Sequence, residues 1–523
     1  MKKRKLALFL ASVMAFTMLS TACNDKKEAS KKLDMDLSSY PIETDVTLTY
    51  FFPLRSALGG LVENYGETPH AQEFQKRTGV KMEYIHASIG QEAEMLSLLI
   101  ASNELPDIMQ GNWINHKGGV DSAIEDGIII DIGNYKEHAP GYFGKLAADG
   151  ELDKAAKTDS GYYYGFSNIQ TAPRLLSTTG PVIRADWLKE LGLEYPETID
   201  EWETVLTAFK EKKGALAPFS ATKRSHLYSM FGMPSGLYID GDEYKYGNVS
   251  PEAKESIARM HDWYKKGLLD MNLATIDSKT LDSQILTGAT GAAIASGGDI
   301  GRYMSAAKED GFDLTGVSFP TYEKGKVNET VNVGIPINGT CVSAISGQCK
   351  YPELAAKVLD YAYTAEGEIF SNYGIEGVSY EMIDGKPTYT DAILKDPNGL
   401  SIQETLGLYV KAGTTDAFEC LEGYITQYYA LPQQKTALEK WQAGFEESQP
   451  KRPRPITLTT EEAQEAADIM AEVSPYVSSM LTKFITGVEP LDKFDEYVEK
   501  TYALGLQRAL DLYTAALKRY NAR

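Results

Sequence analysis

Trp113 follows a short apolar run, Asp107-Ile108-Met109, across Gln110-Gly111-Asn112. An aromatic ring just past a strand end is open to a flat ligand, and the Asn112 amide beside it both donates and accepts hydrogen bonds. Tyr162-Tyr163-Tyr164 stands between Gly161 and Gly165. One ring of that step is expected in the core, leaving Tyr163 and Tyr164 as candidates to face a cleft. The glycine-rich stretch Gly288–Gly301 is read here as a loop whose backbone closely approaches a partner; Asp299 within it can accept from hydroxyls, and Arg302 and Tyr303 follow it. Trp441 lies in a polar late segment and is a further candidate to line a groove, whereas Trp187, Trp202 and Trp263 fall in helical patterns and are expected in the core.

These residue types hold a ligand rather than attack one. A pyranose has apolar C–H faces and a belt of hydroxyls; aromatic rings stack on the faces, while carboxylates, amides and Arg bind the belt. The motifs of covalent or metal chemistry are missing: no G-x-x-x-x-G-K-[ST], no H-E-x-x-H and no G-x-S-x-G. The six histidines, His70, His86, His116, His138, His226 and His261, show no pairing at helix-face spacing. No Cys-x-x-Cys occurs either, so neither a metal site nor a cofactor is expected. With 73 acidic residues a glycosidase carboxylate pair stays open as an alternative, and sequence points to no specific pair.

The elements that must position these side chains read as two α/β regions. Val46, Leu48, Tyr50 and Phe52 alternate as a strand. Thr68 caps a helix that stops at Gly79, Val80-Met82-Tyr84 alternate again, and Glu92–Ser102 is helical before Pro106 leads into the buried run at Ile108. Strand–helix–strand–helix–strand order predicts a mostly parallel sheet, with ligands beyond the carboxyl ends of its strands. A second region has a strand near Val182 and a capping box, Thr198 with Glu201, before the stripe Trp202, Val205, Leu206 and Phe209. Further strands are expected at Ala289–Ala295 and Thr340–Ile345 and a helix from Pro352. The chain from Glu461 onward is nearly all helical.

The 523 residues are 43% hydrophobic, enough for two or three domains, and the formal charge of −21 disfavours nucleic-acid binding. Lys2–Lys5 is basic, Leu6–Leu19 is uncharged, and Ser20-Thr21-Ala22 precedes Cys23. This is an export signal ending on a cysteine. It resembles a bacterial lipoprotein signal, which implies cleavage after residue 22 and lipid on Cys23; Leu19 sits four residues before the Cys, one further than such signals favour. Residues 23–45 read as a flexible tether with a reach of about 25 Å. Cys341 and Cys349 flank a strand-like run and allow either a small disulfide loop or buried thiols, as does Cys420 for a thiol.

Over its full length the chain resembles the extracellular solute-binding lipoproteins of carbohydrate ABC transporters, in the long cluster that includes alginate-binding proteins. The markers are Thr78-Gly79-Val80, Leu105-Pro106-Asp107-Ile108, Ile183-Arg184-Ala185-Asp186-Trp187-Leu188 with Leu191-Gly192-Leu193, Asn372–Gly377, and Phe484-Ile485-Thr486-Gly487 with Leu491-Asp492 and Tyr497. The resemblance implies an α/β, two-lobed, hinge-linked fold of the periplasmic-binding-protein type II, with a helical C-terminal segment. It implies an N-terminal lobe of residues 46–165 plus 320–370 and a C-terminal lobe of 166–319 plus 371–523. It further implies a monomer, without enzymatic activity, that closes on an oligosaccharide at the outer face of the membrane and docks on a permease. Trp113 falls close to where maltose-binding proteins place a stacking aromatic. Many relatives bind calcium after the helix corresponding to that of Trp202; here Lys210-Glu211-Lys212-Lys213-Gly214-Ala215 is short and basic, so no calcium is expected there. A secreted glycoside hydrolase or lyase, and a binding protein for peptides or another small solute, are the alternatives.

Overall fold

Thr68 starts the first long helix as its sequence requires: its side chain accepts from the Ala71 N–H, Pro69 occupies the first turn, and Gly79 ends the helix at φ +80°. The computed structural model describes residues 35–414 and 416–523. The export signal, Cys23 and the tether up to residue 34 lie outside them. The last part of the expected tether is packed instead. Ile42 is buried and donates its N–H to the Thr78 carbonyl at 2.8 Å, and the Tyr40 hydroxyl donates to the Lys357 carbonyl.

The first half of the fold is a five-stranded sheet in the order Lys81–Ile85, Thr47–Phe51, Ile108–Gly111, Ile337–Ile345, Phe166–Ile169. The first three strands are parallel, with Tyr50 opposite both Tyr84 and Ile108. Ile337–Ile345 is antiparallel to its neighbours and sets Val342 opposite Gly111 and Ser167. The second half has a four-stranded sheet, Leu314–Gly316, Thr179–Arg184, Ala292–Ser296, Phe219–Ser220. Only its pairing of Phe219–Ser220 with Ala292–Ser296 is parallel, so the alternating strand–helix order overstates parallel character in this half. The capping box of Thr198 and Glu201 forms as expected and starts the helix Ile199–Lys213.

Apolar clusters pack on both sheets, two of them on the faces that concern the site. One gathers Trp187, Trp202, Phe219, Trp263 and Trp441 around the four-stranded sheet; the other gathers Phe51, Met109, Trp113, Tyr164 and Val342. The helices Thr460–Thr486 and Leu506–Ala522 pack on the first of these clusters through Val473, Leu481, Phe484, Leu510 and Leu517.

The connecting segments lie side by side. Ile337 pairs with Ile169, Ile169 bridges to Glu419, and Gln170 donates to the Pro336 carbonyl at 2.7 Å. Two expected boundaries move. Residues 320–333 pack with the four-stranded sheet, because Val331 and Val333 join its core, so the second connection falls near 334–337 rather than at 320. Residues 371–414 and 416–417 pack with the five-stranded sheet, because Lys411 donates its N–H to the Ser371 carbonyl and Asp416 accepts from the Tyr50 hydroxyl at 2.7 Å. The third connection therefore falls near 418–421 rather than at 370. Residues 320–333 form no helix or strand, and the described residues of 371–417 hold only short ones, of four to eight residues beyond the end of the helix Ala365–Tyr373, so neither stretch offers a long hydrophobic period to follow.

Candidate functional site

The parallel strands of the first half end along one edge, and the residues just past them line a cavity. It has a volume of about 730 Å³ and is lined by Leu96, Gln110, Asn112, Trp113, His116 and Cys341, among others. Its geometry begins at Gly111. A Cβ there would lie 2.3 Å from Leu96 Cδ2, so the Leu96 side chain of the helix Glu92–Ser102 packs directly over this glycine. The loop then turns tightly: Asn112 Oδ1 accepts from the Asn115 N–H at 3.2 Å, and the His116 N–H donates to the Trp113 carbonyl at 3.1 Å. Gln110 is buried and its amide donates to Cys341 Sγ at 3.3 Å. Burial holds the His116 imidazole below its usual pKa, so a neutral ring faces the cavity.

Asn112 and Trp113 thus come together as the sequence suggested, but Trp113 is not a free platform. It is 1% exposed, its ring belongs to the core cluster, and its Nε1–H donates to the Val342 carbonyl at 3.2 Å. It forms the cavity wall by its edge and fixes the loop that presents Asn112.

The other expected site residues do not join them. Tyr164 is buried in the same core. Tyr163 is buried, donates its hydroxyl to Asp153 at 2.6 Å and has Lys136 Nζ 4.4 Å above its ring, so both its face and its tip are spent. Trp441 is wholly buried, with Nε1–H on the Pro181 carbonyl at 3.2 Å; Gly180 leaves the space its ring fills. A polar sequence neighbourhood hid a core position.

The glycine-rich stretch before Asp299 is not a loop. Gly297–Ala306 is a helix capped by Ser296, whose hydroxyl accepts from the Asp299 N–H at 3.2 Å while Asp299 Oδ2 accepts from the Ser296 N–H at 2.9 Å. The glycines are required because tyrosine rings lie against them: a Cβ on Gly297 would be 2.3 Å from the Tyr429 ring, and one on Gly298 2.5 Å from the Tyr428 hydroxyl. Burial works against ionisation of Asp299, but the hydrogen bonds from Ser296 outweigh it and its carboxyl stays below the usual range. Arg302 forks onto Asp282 at 2.7 and 2.9 Å, and the Tyr303 hydroxyl donates to Asp282 at 2.7 Å. Asp299 and Arg302 therefore form a preset polar rim, while Tyr303 is buried behind it.

Sequence reasoning passed over Tyr428, whose hydroxyl lies against Gly298, and its partner Tyr424. Tyr424 and Tyr428 stack with centroids 6.0 Å apart on the helix Glu422–Tyr428. Their i, i+4 spacing was the available signal. Arg55, just past the strand Thr47–Phe51, donates to the Ala412 carbonyl at 3.1 Å, and burial lowers its pKa. Cys349 and Cys420 are thiols, each pushed up to about 12 by burial, which removes them from thiolate chemistry. Among the described residues no cluster of three His, Cys, Asp or Glu offers a metal site.

This layout, strand-end loops on two sheets joined by adjacent connecting segments, meets a known family. Residues 60–369 match the model described as bacterial extracellular solute-binding protein. The chain belongs to that family. It is 23% identical over 350 residues to lipoprotein LipO of Bacillus subtilis (strain 168), covering 61% of this chain and 65% of that one. It is 23% identical to the fructooligosaccharide ABC transporter substrate-binding protein FusA of Streptococcus pneumoniae serotype 4, covering 99% of this chain and 98% of that one. The crystal structure of alginate-binding protein AlgQ2 without calcium ion superposes with a TM-score of 0.76 at 22% identity, over 91% of this chain and 99% of that one. The two-lobed periplasmic-binding-protein fold is the fold of this solute-binding protein. The chain spans about two thirds of the length of LipO.

Proposed function

We propose that this solute-binding protein captures an oligosaccharide between its two halves at the outer face of the membrane and hands it to an ABC transporter permease. Attachment through lipid on Cys23 is part of the reading, as are action as a monomer and the absence of catalysis. The observation that carries it is the cavity beside Trp113, at the strand ends of the first half, with amides, a neutral imidazole and apolar edges for walls. The similarity to FusA and AlgQ2 supports a carbohydrate over a peptide. The hydrolase alternative loses ground at the same place. Glu92 is the sole acid among the residues that line this cavity, whereas hydrolysis by the common route takes two carboxylates flanking the bond.

The test is a glycan-library thermal-shift screen with product analysis. A ligand at about 100 times its Kd raises stability by roughly 2.7 kcal/mol. The expected outcome is a shift with intact glycan recovered. Reducing ends that accumulate with time would replace binding by hydrolysis, and a library in which peptides alone stabilise would move the ligand class.

A further inference from the structure

A second cavity, of about 400 Å³, takes its walls from both halves: Asp149 and Glu151 on one side, Thr171 at the connecting segments, and Arg452, Arg454 and Tyr520 on the other. Its two arginines, like Arg55 and Arg224, meet carbonyls rather than carboxylates, and they stand two residues apart. Arg77, Arg174, Arg184, Arg302, Arg519 and Arg523 each meet a carboxylate. Arg452 donates to the Gly334 carbonyl at 2.7 Å, and its Nε is buried with no hydrogen-bond partner. Arg454 reaches the Arg452 carbonyl at 3.5 Å. Neither has an ion pair among the described residues. Two guanidinium groups in sequence, one with an orphaned buried N–H, lack the counter-charge that a site of this kind needs. Burial and the neighbouring Arg454 charge hold the Arg452 pKa down to about 10, the electrostatic mark of that missing partner.

The facing wall decides what the partner is. Asp149 caps the helix Gly150–Ala156 by accepting from the Glu151 N–H at 2.9 Å, and Glu151 lies 3.3 Å from Lys154. Both residues are exposed where they line the cavity, and both carboxylates retain acceptor sites. A simple inorganic anion would answer the arginines and be repelled by the acids. A neutral sugar would answer the acids through its hydroxyls and leave the arginines uncompensated. A sugar ring that also carries a carboxylate answers both walls, its hydroxyls donating to Asp149 and Glu151 and its carboxylate accepting a fork from guanidinium.

We propose that this cavity is a uronate subsite, in which Arg452 and Arg454 bind the carboxylate of an acidic sugar unit and Asp149 and Glu151 bind its hydroxyls. The subsite rests on the reading that an oligosaccharide is held between the halves. Because its walls come from both halves, filling it ties them together, and acidity of the ligand becomes a condition for closure.

The test titrates the full chain with a panel of oligouronates (galacturonate, guluronate, mannuronate and glucuronate oligomers), with their neutral counterparts and with inorganic phosphate. At least one oligouronate binds, its neutral counterpart binds at least about tenfold more weakly, and Arg452→Gln or Arg454→Gln loses about tenfold or more. Arg452→Lys keeps the charge but not the fork and falls between. Circular dichroism and an unchanged melting temperature establish that each variant folds; if Arg452→Gln does not, Arg454→Gln and Arg452→Lys carry the test. Equal binding of the neutral sugar overturns the subsite and leaves the oligosaccharide reading standing. A shift with phosphate as large as with uronate overturns the subsite in favour of a plain anion site. Absence of binding by every glycan overturns both.

Discussion

The two cavities are built on opposite principles. The one beside Trp113 belongs to a single half, and several of its groups are held by neighbours within that half: Trp113 by Val342, Gln110 by Cys341, the Asn112 Oδ1 by Asn115. The one beside Arg452 is shared between halves and has donors left over. A wall with its hydrogen bonds satisfied keeps its shape whether or not a ligand is present. A wall with unspent donors gains its stability only when something arrives. The same division runs through the ion pairs. Lys411 and Asp416, 2.7 Å apart, are both buried within one half, whereas Asp159 joins Arg523 (2.6 Å) across the halves.

The sharpest way to break this contrast is Trp113→Ala. If Trp113 is core first and wall second, the variant loses about 3–5 kcal/mol of stability. A chemical-denaturation midpoint that hardly moves would make Trp113 a free stacking platform instead. Asp416→Asn leaves Lys411 charged and uncompensated within the rigid half and is expected to cost at least about 3 kcal/mol by the same measurement. Its failure would mean that this half tolerates an open charge as readily as the shared cavity does.

Asp159→Asn acts between the halves, on a network that also includes Arg519 and Glu462 at 3.0 Å. A loss of about 1–2 kcal/mol is expected. Hydrogen exchange should quicken together in residues 154–159 and 519–523 and nowhere in the five-stranded sheet. Protection lost throughout that sheet would show that the two halves open as one unit.

The smallest effect is on pH dependence. Burial, helped by the Lys223 charge, lowers His226 to about 4, with its ring beside Phe319. Above pH about 6.5 the imidazole is neutral both folded and unfolded and contributes no slope. As pH falls from about 6.5 toward 4 the unfolded chain takes a proton that the folded chain refuses, so stability declines. His70, also lowered by burial, adds to the decline. His226→Gln should make the curve of melting temperature against pH shallower in that window and unchanged above it; an unaltered slope would remove His226 from the account.

Much of the fold was legible because caps and periods are local. Thr68, Gly79, Thr198, Glu201 and Pro352 set helix ends by rules that act within a few residues, and the structure follows them. Of the expected site residues the sequence placed only Asn112 and Trp113 on one candidate cavity, where strand, turn and ring are contiguous in the chain. Gly297-Gly298 misled because glycine marks a loop locally, whereas here it makes room for Tyr428 and Tyr429 from 130 residues away, a fact of packing. Trp441 misled for the converse reason: its neighbours are polar, yet Gly180 and Gly316 open a slot for it in the core. Arg452 and Arg454 carry no periodic or motif signal. Their distinction is the buried, unpartnered Nε of Arg452 beside a second guanidinium, and a missing partner is visible only once every potential partner has been placed.

The capping box at Ser296 and Asp299 bears on the charge a ligand can bring. An uncapped helix start is a natural landing place for a negative group, since its first amides point outward and its dipole is positive. Here Asp299 already neutralises that end from within its own first turn. The backbone of this rim therefore offers no welcome to an incoming anion, and any acidic cargo must be recognised by side chains, which substitution can rewrite one at a time.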